Sequence, residues 1–376
     1  MKTRLIFFLA ITLTMILFCT SCALPEPNKG QEDGAVTQPP TICVTPSSTV
    51  AQPTATPEAT IAPTPAPTED LSMYAVNPIT GLQNMRKENV GMRPFAIMIS
   101  NIKKATPQVG ITTCDMYYEV EAEGGITRIL GIYADVATIP NMLGPVRSAR
   151  EYYVDIALGY NAIFAHYGTS TTAKNRINKY GVDNLDGMYL SKQFWRDEAR
   201  KEKYGSVHSV VTSSAMVADA IAKKKYETDG TVGNYFSFYP KEQFTVDGTL
   251  QGAQIAAQFS GSTTATFTYN EQDKLYYKSQ FNAPHVDDKG QQIAVTNVIV
   301  LYTNIKVVDG EGHLSVDLSN GRGYYFSGGK GKEITWSKGS PTEPMRYYNV
   351  DGSDLKVNAG KTYVCIVRRG EAVTNR

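Results

Sequence analysis

Residue types that bind zinc are scarce in this chain of 376 residues. It has four histidines and five cysteines. Outside the N-terminal leader no two cysteines have Cys-x-x-Cys spacing, and neither His-x-x-x-His nor His-Glu-x-x-His occurs. Because structural and catalytic zinc sites usually show such spacings, we predict no metal site. The sequence does not identify a cofactor.

An excess of charge of either sign is also lacking. Lysine and arginine together number 37, and aspartate and glutamate 36, which gives a net charge of +1. The chain has no long basic run. Nucleic-acid-binding proteins usually concentrate Lys and Arg on one face or in one segment, so we expect no nucleic acid as a partner.

The long hydrophobic run of the chain lies at its N-terminus. Lys2 and Arg4 precede the apolar residues 5–18, which lead into Cys19-Thr-Ser-Cys22. This run is short for a membrane-spanning helix and ends in small residues before a cysteine, as in a bacterial lipoprotein signal. We therefore predict a signal peptide over residues 1–21 and lipid, such as palmitate, on Cys22, although Cys19 stands where such signals usually have leucine. The protein is then extracytoplasmic and lipid-anchored to the cell membrane.

Residues 22–70 lack the apolar periodicity of a folded segment. They carry 10 of the 19 prolines, and Thr, Ser, Ala and Gln make up much of the rest. Such a composition cannot bury enough apolar surface to fold, so we predict a disordered tether that begins at the lipidated Cys22. Cys43 lies in this tether, which leaves Cys114 and Cys365 for the folded part. We expect these two as buried free thiols, with a single disulfide as the alternative.

The folded sequence divides into two regions of different pattern. Between residues 71 and 235 the order is strand, hairpin, helix, strand and helix, with further helices predicted over residues 191–203 and 213–225. This order predicts an α+β or α/β N-terminal domain with a mixed sheet and flanking helices. Residues 236–376 consist of short β-branched and aromatic runs separated by Gly, Asp and Asn turns. That pattern predicts a β-rich C-terminal domain.

Candidate functional residues concentrate between Asp115 and Ser170. The first block alternates with period two, and one face of it carries Asp115, Tyr117, Glu119 and Glu121. Successive side chains of a strand point to opposite faces of its sheet. The block therefore predicts a strand with one acidic, solvent-facing side.

Gly124-Gly125 indicates a tight hairpin turn after this strand, and the run that follows it is β-branched and aromatic. A turn centred on the two glycines pairs residues whose numbers sum to 249, which places Arg128 opposite Glu121. An ion pair between them, worth roughly 0.2–1 kcal/mol, is favoured over a ligand contact. Asp115 and Glu119 have no such evident partner.

Two arginines follow Pro145, which suits the first turn of a helix. Apolar residues then recur at helical spacing, and Arg147 and Arg150 are three apart, as neighbours on one helix face are. Two guanidinium groups at a helix N-terminus attract phosphate or carboxylate. Pairing with Glu151, Asp155 or the acidic strand is an equally supported alternative.

A histidine ends the next apolar run. Residues 162–166 predict a buried strand that delivers His166 to its end, and the small residues Gly168, Thr169 and Ser170 precede a helix that closes at Gly181. Ligands of open α/β sheets bind beyond the carboxyl ends of strands. A structural and a functional role for His166 are therefore equally supported.

A second polar group follows in the predicted helix over residues 191–203. Arg196 and Arg200 are four apart, and His208 comes soon after the helix. These three residues predict either a polar cluster or a solvated helix with pairs such as Asp197 with Lys201. The solvated helix is the favoured interpretation.

Several motifs occur in a fixed order along residues 74–368. They are Asn77-Pro-Ile-Thr-Gly-Leu82, Arg93-Pro-Phe-Ala-Ile-Met-Ile99, Glu123-Gly-Gly-Ile-Thr-Arg128, Gly144-Pro-Val-Arg-Ser-Ala-Arg150, His166 with Gly168, and the set Arg196, Arg200 and His208. In these motifs the chain resembles the YerB-like lipoproteins of Gram-positive bacteria. The resemblance implies a surface lipoprotein with an N-terminal α/β-type domain and a C-terminal β domain, and it supplies no reaction.

Two loops depart from the pattern of that family. Val207-His208-Ser209 stands where the family usually has Pro-His-Asn, and Gly168-Thr-Ser170 stands where it has Gly-Gly-Ser. These differences weaken the inference that the two loops carry invariant chemistry.

Two functions from different classes fit these residues. In the first, the protein is a binding module whose pocket takes a cell-wall-derived ligand such as a glycan, an anionic ligand or an envelope partner protein. The residues assigned to that pocket are Asp115, Glu119, Arg147, Arg150, His166, Arg196 and His208.

In the second, the protein is a phosphotransferase or hydrolase that acts on a phosphorylated or lipid-linked cell-wall precursor. Arg147 and Arg150 would hold phosphate, Asp115 would bind Mg²⁺ or act as a base, and His166 would transfer a proton. Enzymes of the LytR-CpsA-Psr type are a distant analogy, because they also combine acids at strand ends with arginines that hold pyrophosphate. The sequence shows no nucleophile with a paired base, so the binding module is the preferred hypothesis.

Overall fold

The folded part of the chain consists mainly of β-strands. The computed structural model describes residues 71–230, 233, 235–240, 243–371 and 373–376, which lie within one compact unit. The predicted signal peptide, Cys22, Cys43 and the tether lie outside the described residues. No helix in the described residues is long and apolar enough to cross a membrane.

The strands are β1 (Tyr74–Val76), β2 (Gln83–Arg86), β3 (Phe95–Asn101), β4 (Met116–Glu121), β5 (Thr127–Tyr133), β6 (Ile163–His166), β7 (Asn184–Asp186), β8 (Trp195–Arg196), β9 (Val210–Val211), β10 (Ser237–Phe238), β11 (Leu250–Gln251), β12 (Gln254–Ser260), β13 (Thr263–Asn270), β14 (Leu275–Gln280), β15 (Ala283–Pro284), β16 (Ala294–Val295), β17 (Asn297–Thr303), β18 (Ile305–Val307), β19 (Leu314–Val316), β20 (Asn320–Ser327), β21 (Lys330–Ser337), β22 (Arg346–Asn349), β23 (Lys356–Val357), β24 (Thr362–Arg368) and β25 (Val373–Asn375). The α-helices of the described residues are α1 (Glu151–Gly159), α2 (Thr171–Tyr180), α3 (Glu198–Tyr204) and α4 (Ser214–Lys224).

One large mixed sheet runs through both halves of the sequence. Its strand order is β11-β21-β20-β17-β24-β4-β5-β3-β6-β7, and β22 pairs with β21. The two halves meet where β24 pairs in parallel with β4, with Cys365 opposite Glu119. The mixed sheet, the flanking helices and the strand-rich C-terminal region are therefore confirmed, while the domain boundary between residues 235 and 236 stays a prediction.

The faces of this sheet are covered by different layers. On one face lies a second sheet, in the order β15-β14-β13-β12-β25 with β16 beside β14, and its Ile255 and Phe267 join a core that includes Val298 and Tyr363. The other face belongs to a core that includes residues of α1 and α2, such as Tyr153. The central strands are thus shielded from water on both sides.

One end each of α2 and α4 follows its sequence signal. The hydroxyl of Ser213 accepts a hydrogen bond from the backbone N–H of Met216 and so caps α4. Gly181 ends α2 in the left-handed conformation, at φ 59°, which glycine adopts without strain.

Cys114 and Cys365 are buried free thiols, so the disulfide alternative is wrong.

The prediction of an acidic, solvent-facing side on β4 is wrong. All six residues of Met116–Glu121 are buried. The alternation itself holds, because Met116 and Tyr118 belong to one core and Tyr117 to the other. Burial on both sides follows because β4 lies in the middle of the sheet, where other layers cover both faces.

Glu119 is fully buried where the two sheets pack together. Its Oε1 accepts hydrogen bonds from Asn101 Nδ2 at 2.7 Å and from Thr127 Oγ1 at 2.6 Å. Its Oε2 accepts one from the Tyr363 hydroxyl at 2.6 Å and lies 3.4 Å from the Nζ of Lys278. Each carboxylate oxygen is thus occupied inside the protein.

Lys278 comes from β14 in the second sheet and is also fully buried. Its Nζ donates to Gln280 Oε1 at 2.5 Å and lies 2.9 Å from His285 Nδ1, while His285 Nε2 lies 2.9 Å from Gln108 Oε1. Burial lowers the pKa of both Lys278 and His285. This polar network connects the two sheets across an apolar interface.

We expect Glu119→Gln to destabilise the protein by roughly 3–5 kcal/mol, because it leaves the buried Lys278 without its counter-charge. Urea unfolding followed by circular dichroism measures this loss. The double variant Glu119→Gln/Lys278→Met should recover part of it, since neither charge then remains buried.

Glu121→Gln is the matched control on the same strand. The partner of Glu121 is Arg368, at 2.7 Å, whose side chain is 28% exposed. A partly exposed ion pair contributes less, so the loss should be smaller than for Glu119→Gln. Equal losses for the two variants would contradict a special role for the Glu119 network.

We also expect the described region to unfold in a single cooperative transition. Residues 71–235 expressed alone should not fold, because β4 loses its neighbour β24 and Glu119 loses both Tyr363 and Lys278. Near-ultraviolet circular dichroism and NMR dispersion test both statements. Two separate transitions, or a well-dispersed spectrum of residues 71–235, would contradict them.

Candidate functional site

The hairpin after β4 has a different register from the predicted one. Glu121 pairs with Thr127 and Val120 with Arg128, so paired numbers sum to 248. The turn is longer than two residues, because a short 3₁₀ segment, Glu123–Gly125, is inserted. Arg128 therefore does not face Glu121, which pairs with Arg368 instead.

Glu123 is the carboxylate that neutralises two of the predicted arginines. Its Oε1 accepts a hydrogen bond from Arg150 Nε, and its Oε2 lies 3.2 Å from Arg128 Nη2. Burial raises the pKa of Glu123. The hydrogen bond from Arg150 and the charge of Arg128 outweigh this effect and hold that pKa below its ordinary value. Of the two alternatives for Arg150, anion binding and an ion pair within the protein, the structure therefore contains the ion pair.

Arg147 does not lie in a helix. The helix after Pro145 begins only at Glu151. Before it the chain is extended: the N–H of Val146 bonds to the carbonyl of Val210, and that of Arg147 to the carbonyl of Met98. These hydrogen bonds to neighbouring segments replace the hydrogen bonds of a helical turn. Arg147 and Arg150 therefore do not lie on the same helical turn.

Gly144 explains how this extended segment approaches its neighbour. A Cβ at this position would lie 2.7 Å from the carbonyl oxygen of Val210, and the φ angle is +157°. Any larger residue would push the segment away from β9. The glycine of the motif Gly144-Pro-Val-Arg147 thus fixes the place of Arg147 relative to residues 206–210.

The predicted helix over residues 191–203 is much shorter than expected. Trp195 and Arg196 form β8, which pairs with β9, and α3 begins at Glu198 with Asp197 as its cap. Backbone pairing with β9 overrides the helical pattern of the first residues. The expected pair of Asp197 with Lys201 is replaced by Lys201 with Glu198, at 3.0 Å.

Three arginines converge on the short turn Ser206–His208. Arg196 donates to the carbonyl of Ser206, Arg147 to that of Val207 at 3.3 Å, and Arg200 to that of His208 at 3.2 Å. The three consecutive carbonyls are thus each bound by a different arginine. We call these three side chains and the turn the arginine-held turn.

The arginine-held turn carries positive charge that forms no ion pair with a carboxylate of the described residues. Within the described residues no carboxylate oxygen lies within 4.0 Å of the side-chain nitrogens of Arg147, Arg196 or Arg200. Burial, and then the charge of Arg150, lower the pKa of Arg147, and the charge of Glu123 offsets part of this. A bound anion would offset both effects.

The three arginines differ in exposure. Arg147 and Arg196 are half-buried, and the Arg196 guanidinium stacks over the Tyr167 ring at 5.3 Å. Arg200 is buried, and it also donates to the carbonyls of Pro107 and Ala105 at 3.0 Å each. Arg200 is therefore a structural residue, and Arg147 and Arg196 are the ones with access to solvent.

His208 lies inside this positive region. It is buried, and its Nδ1 has no hydrogen-bond partner among the described residues. Burial and the charges of Arg147, Lys104 and Arg200 lower its pKa. The ring is therefore neutral over most of the physiological range, with one nitrogen unused.

His166 and Asp115 are used internally. The Nδ1 of His166 hydrogen bonds with the carbonyl of Gly168 at 3.0 Å, its Nε2 with Asn184 Oδ1 at 3.1 Å, and burial lowers its pKa. Asp115 Oδ2 accepts from the N–H of Ala134 at 2.8 Å, and burial raises its pKa. Both side chains are buried.

The structure therefore divides the predicted site residues into two groups. Arg147, Arg196 and His208 meet at the arginine-held turn. The other group, whose polar atoms bind inside the fold, contains Asp115, Glu119, Arg150 and His166. Sequence reasoning missed Tyr167. It directly follows the predicted strand over residues 162–166, and nothing in that position indicates that its ring stacks with Arg196.

Two regions of this chain match models of one protein family. Residues 79–227 match the model "Protein of unknown function (DUF3048) N-terminal domain", and residues 255–364 match the model of the C-terminal domain of the same family. The arginine-held turn lies within the first of these matched regions.

The relatives agree with the family models. YerB of Bacillus subtilis (strain 168), which is named as a lipoprotein, is 29% identical over 294 residues, covering 77% of this chain and 85% of YerB. The crystal structure of the YerB protein from Bacillus subtilis superposes with a TM-score of 0.69 at 27% identity, and covers 79% of this chain and 99% of that structure. The chain belongs to the YerB-like lipoprotein family, which is built from the two DUF3048 domains.

Proposed function

We propose that this protein is an extracytoplasmic, lipid-anchored binding module that takes an anionic ligand at the arginine-held turn. The observation that carries the proposal is the set of three arginines on three consecutive carbonyls with no carboxylate partner in the described residues. Carbonyl oxygens satisfy only part of a guanidinium, which has five N–H donors. Arg147 and Arg196 therefore retain donors for a ligand.

The chemistry of the turn favours a phosphate or carboxylate. Guanidinium groups bind these oxyanions with paired, charge-assisted hydrogen bonds. Lys104 is exposed and adds to the positive potential near His208. An anionic cell-wall polymer or another phosphorylated ligand of the envelope has the complementary charge.

Binding is better supported than catalysis. The enzymatic hypothesis needs Asp115 and His166 to reach a substrate held by Arg147. Both side chains instead make hydrogen bonds within the fold, to Ala134 and to Gly168 and Asn184. Neither of the predicted acid–base residues, Asp115 and His166, is therefore available to act on a ligand held by Arg147.

We expect Arg147→Ala to weaken the binding of inorganic pyrophosphate about tenfold to a hundredfold. A hydrogen bond to a charged group contributes roughly 1.5–3 kcal/mol, and each 1.4 kcal/mol changes affinity about tenfold. Isothermal titration calorimetry measures the change. The affinity of the unmodified protein should also fall as salt is added, because part of the interaction is exposed to screening.

Arg322→Ala is the matched control. Arg322 is an exposed arginine that lines a separate groove of about 790 Å³ with Tyr302 and Tyr324. This variant removes the same charge and should leave pyrophosphate affinity unchanged. Loss of binding in Arg322→Ala but not in Arg147→Ala would move the anion site to that groove.

The predicted anchor generates a separate expectation. Cys22→Ser should abolish the incorporation of labelled palmitate and release the protein from the membrane fraction, because a serine hydroxyl cannot form the thioether that carries the lipid. Cys43→Ser removes a cysteine of the predicted tether and should change neither result. Label that persists in Cys22→Ser, or disappears in Cys43→Ser, would show that the anchor is elsewhere.

A further inference from the structure

A cavity of about 380 Å³ lies beside α4, and it is distinct in its residues from the arginine-held turn. Its lining is mostly apolar and includes Ile163, Ile221 and Tyr226. Small-molecule sites typically occupy about 300–1,000 Å³ and combine apolar walls with a few polar groups. The cavity has the size and the character of such a site.

Small residues on α4 leave this space open. Ser214, Ala218 and Ala222 are four residues apart, so they lie in a row along one face of the helix. All three line the cavity. Ala218 and Ala222 are exposed, which shows that the cavity opens to solvent along this row.

One carboxylate in the lining is buried and only half used. Asp135 follows β5 and is 3% exposed. Its Oδ1 accepts hydrogen bonds from the backbone N–H of Ala137 and from Asn89 Nδ2, both at 2.8 Å. Its Oδ2 is buried and has no partner among the described residues. A buried acceptor left without a donor is costly, so the position favours a donor supplied from outside.

The cation that lines the same cavity is committed elsewhere. Arg93 Nη1 lies 2.5 Å from Asp183 Oδ2, and Arg93 Nε donates to the carbonyl of Asn161 at 2.9 Å. No lysine or arginine nitrogen of the described residues lies within 4.0 Å of the Asp135 carboxylate. The Asp135 carboxylate therefore has no counter-ion at ion-pair distance in the part of the chain that the structure describes.

We propose that this cavity binds a small amphiphilic cation, an ammonium group on an aliphatic chain. The ammonium donates to Asp135 Oδ2, and the chain packs along Ala218 and Ala222 against Ile163 and Ile221. Charge complementarity selects the ammonium end, and the apolar walls select the aliphatic part. This site is independent of the anion site, because the two use different residues and attract opposite charges.

The test uses the mature chain from residue 22 onward, produced without lipid as Cys22→Ser, and n-hexylamine as the probe. Two-dimensional ¹H–¹⁵N NMR should show saturable shifts at Asp135, Ala137, Ala218 and Ile221. The same chain length without the charge, 1-hexanol, should bind at least tenfold more weakly.

Two variants separate the charge from the space. Asp135→Asn can keep Oδ1 as an acceptor for Ala137 but removes the negative charge, and it should weaken hexylamine binding at least tenfold. Ala218→Leu fills the cavity from an exposed helix position, where leucine suits the helix, and should abolish binding of both probes.

Several results would overturn the proposal. One is the absence of saturable shifts at the cavity, which would mean that Asp135 Oδ2 holds only water. Another is equal affinity of hexylamine and 1-hexanol, or equal affinity of Asp135→Asn and the unmodified chain. A third is binding that survives in Ala218→Leu, because the ligand would then lie outside this cavity.

Discussion

The parallel pairing of β4 with β24 is the constraint on which the rest of the structure depends. It joins strands that are more than 240 residues apart in sequence and places Tyr363 beside Glu119, with a hydroxyl–carboxylate distance of 2.6 Å. Burying a carboxylate is costly unless hydrogen bonds and an opposite charge accompany it. Lys278 supplies that charge from the second sheet. Glu119 therefore links β4 to β24 within the first sheet and also fixes how the second sheet packs on the first. The acidic residues of β4 are thereby explained by folding.

The arginine-held turn follows a different principle. Its arginines are bound to backbone carbonyls, which orient a guanidinium without neutralising it. Gly144 allows the segment that carries Arg147 to approach β9, and β9 in turn pairs with the strand that carries Arg196. Positive charge is thereby held at a defined position while remaining available. The cavity beside α4 presents the converse arrangement, in which Asp135 is held by Ala137 and Asn89 while its charge stays unpaired.

Local patterns predicted local structure well, and failed where distant backbone pairing intervened. The strand alternation of β4 and the end of α2 at Gly181 were readable from short stretches of sequence. Pro145 and residues 191–203 carried equally clear helical signals. The segment after Pro145 bonds to β9 and β3 instead, and of residues 191–203 the part at Trp195 and Arg196 pairs with β9 while the helix begins only at Glu198. The register of the hairpin was wrong by one because Glu123–Gly125 forms an extra turn. Lys278 was not predicted as the partner of Glu119, since nothing local connects residues 159 positions apart.

The most direct test of this account is an NMR titration of the mature chain with inorganic pyrophosphate, observing backbone amides and arginine Nε–H groups together. The account predicts that the largest shifts occur at Arg147, Arg196 and Val207, and that Glu119, Lys278 and Tyr363 do not respond. Shifts centred on Glu119 and its partners, or the absence of saturable shifts at the arginine-held turn, would contradict it.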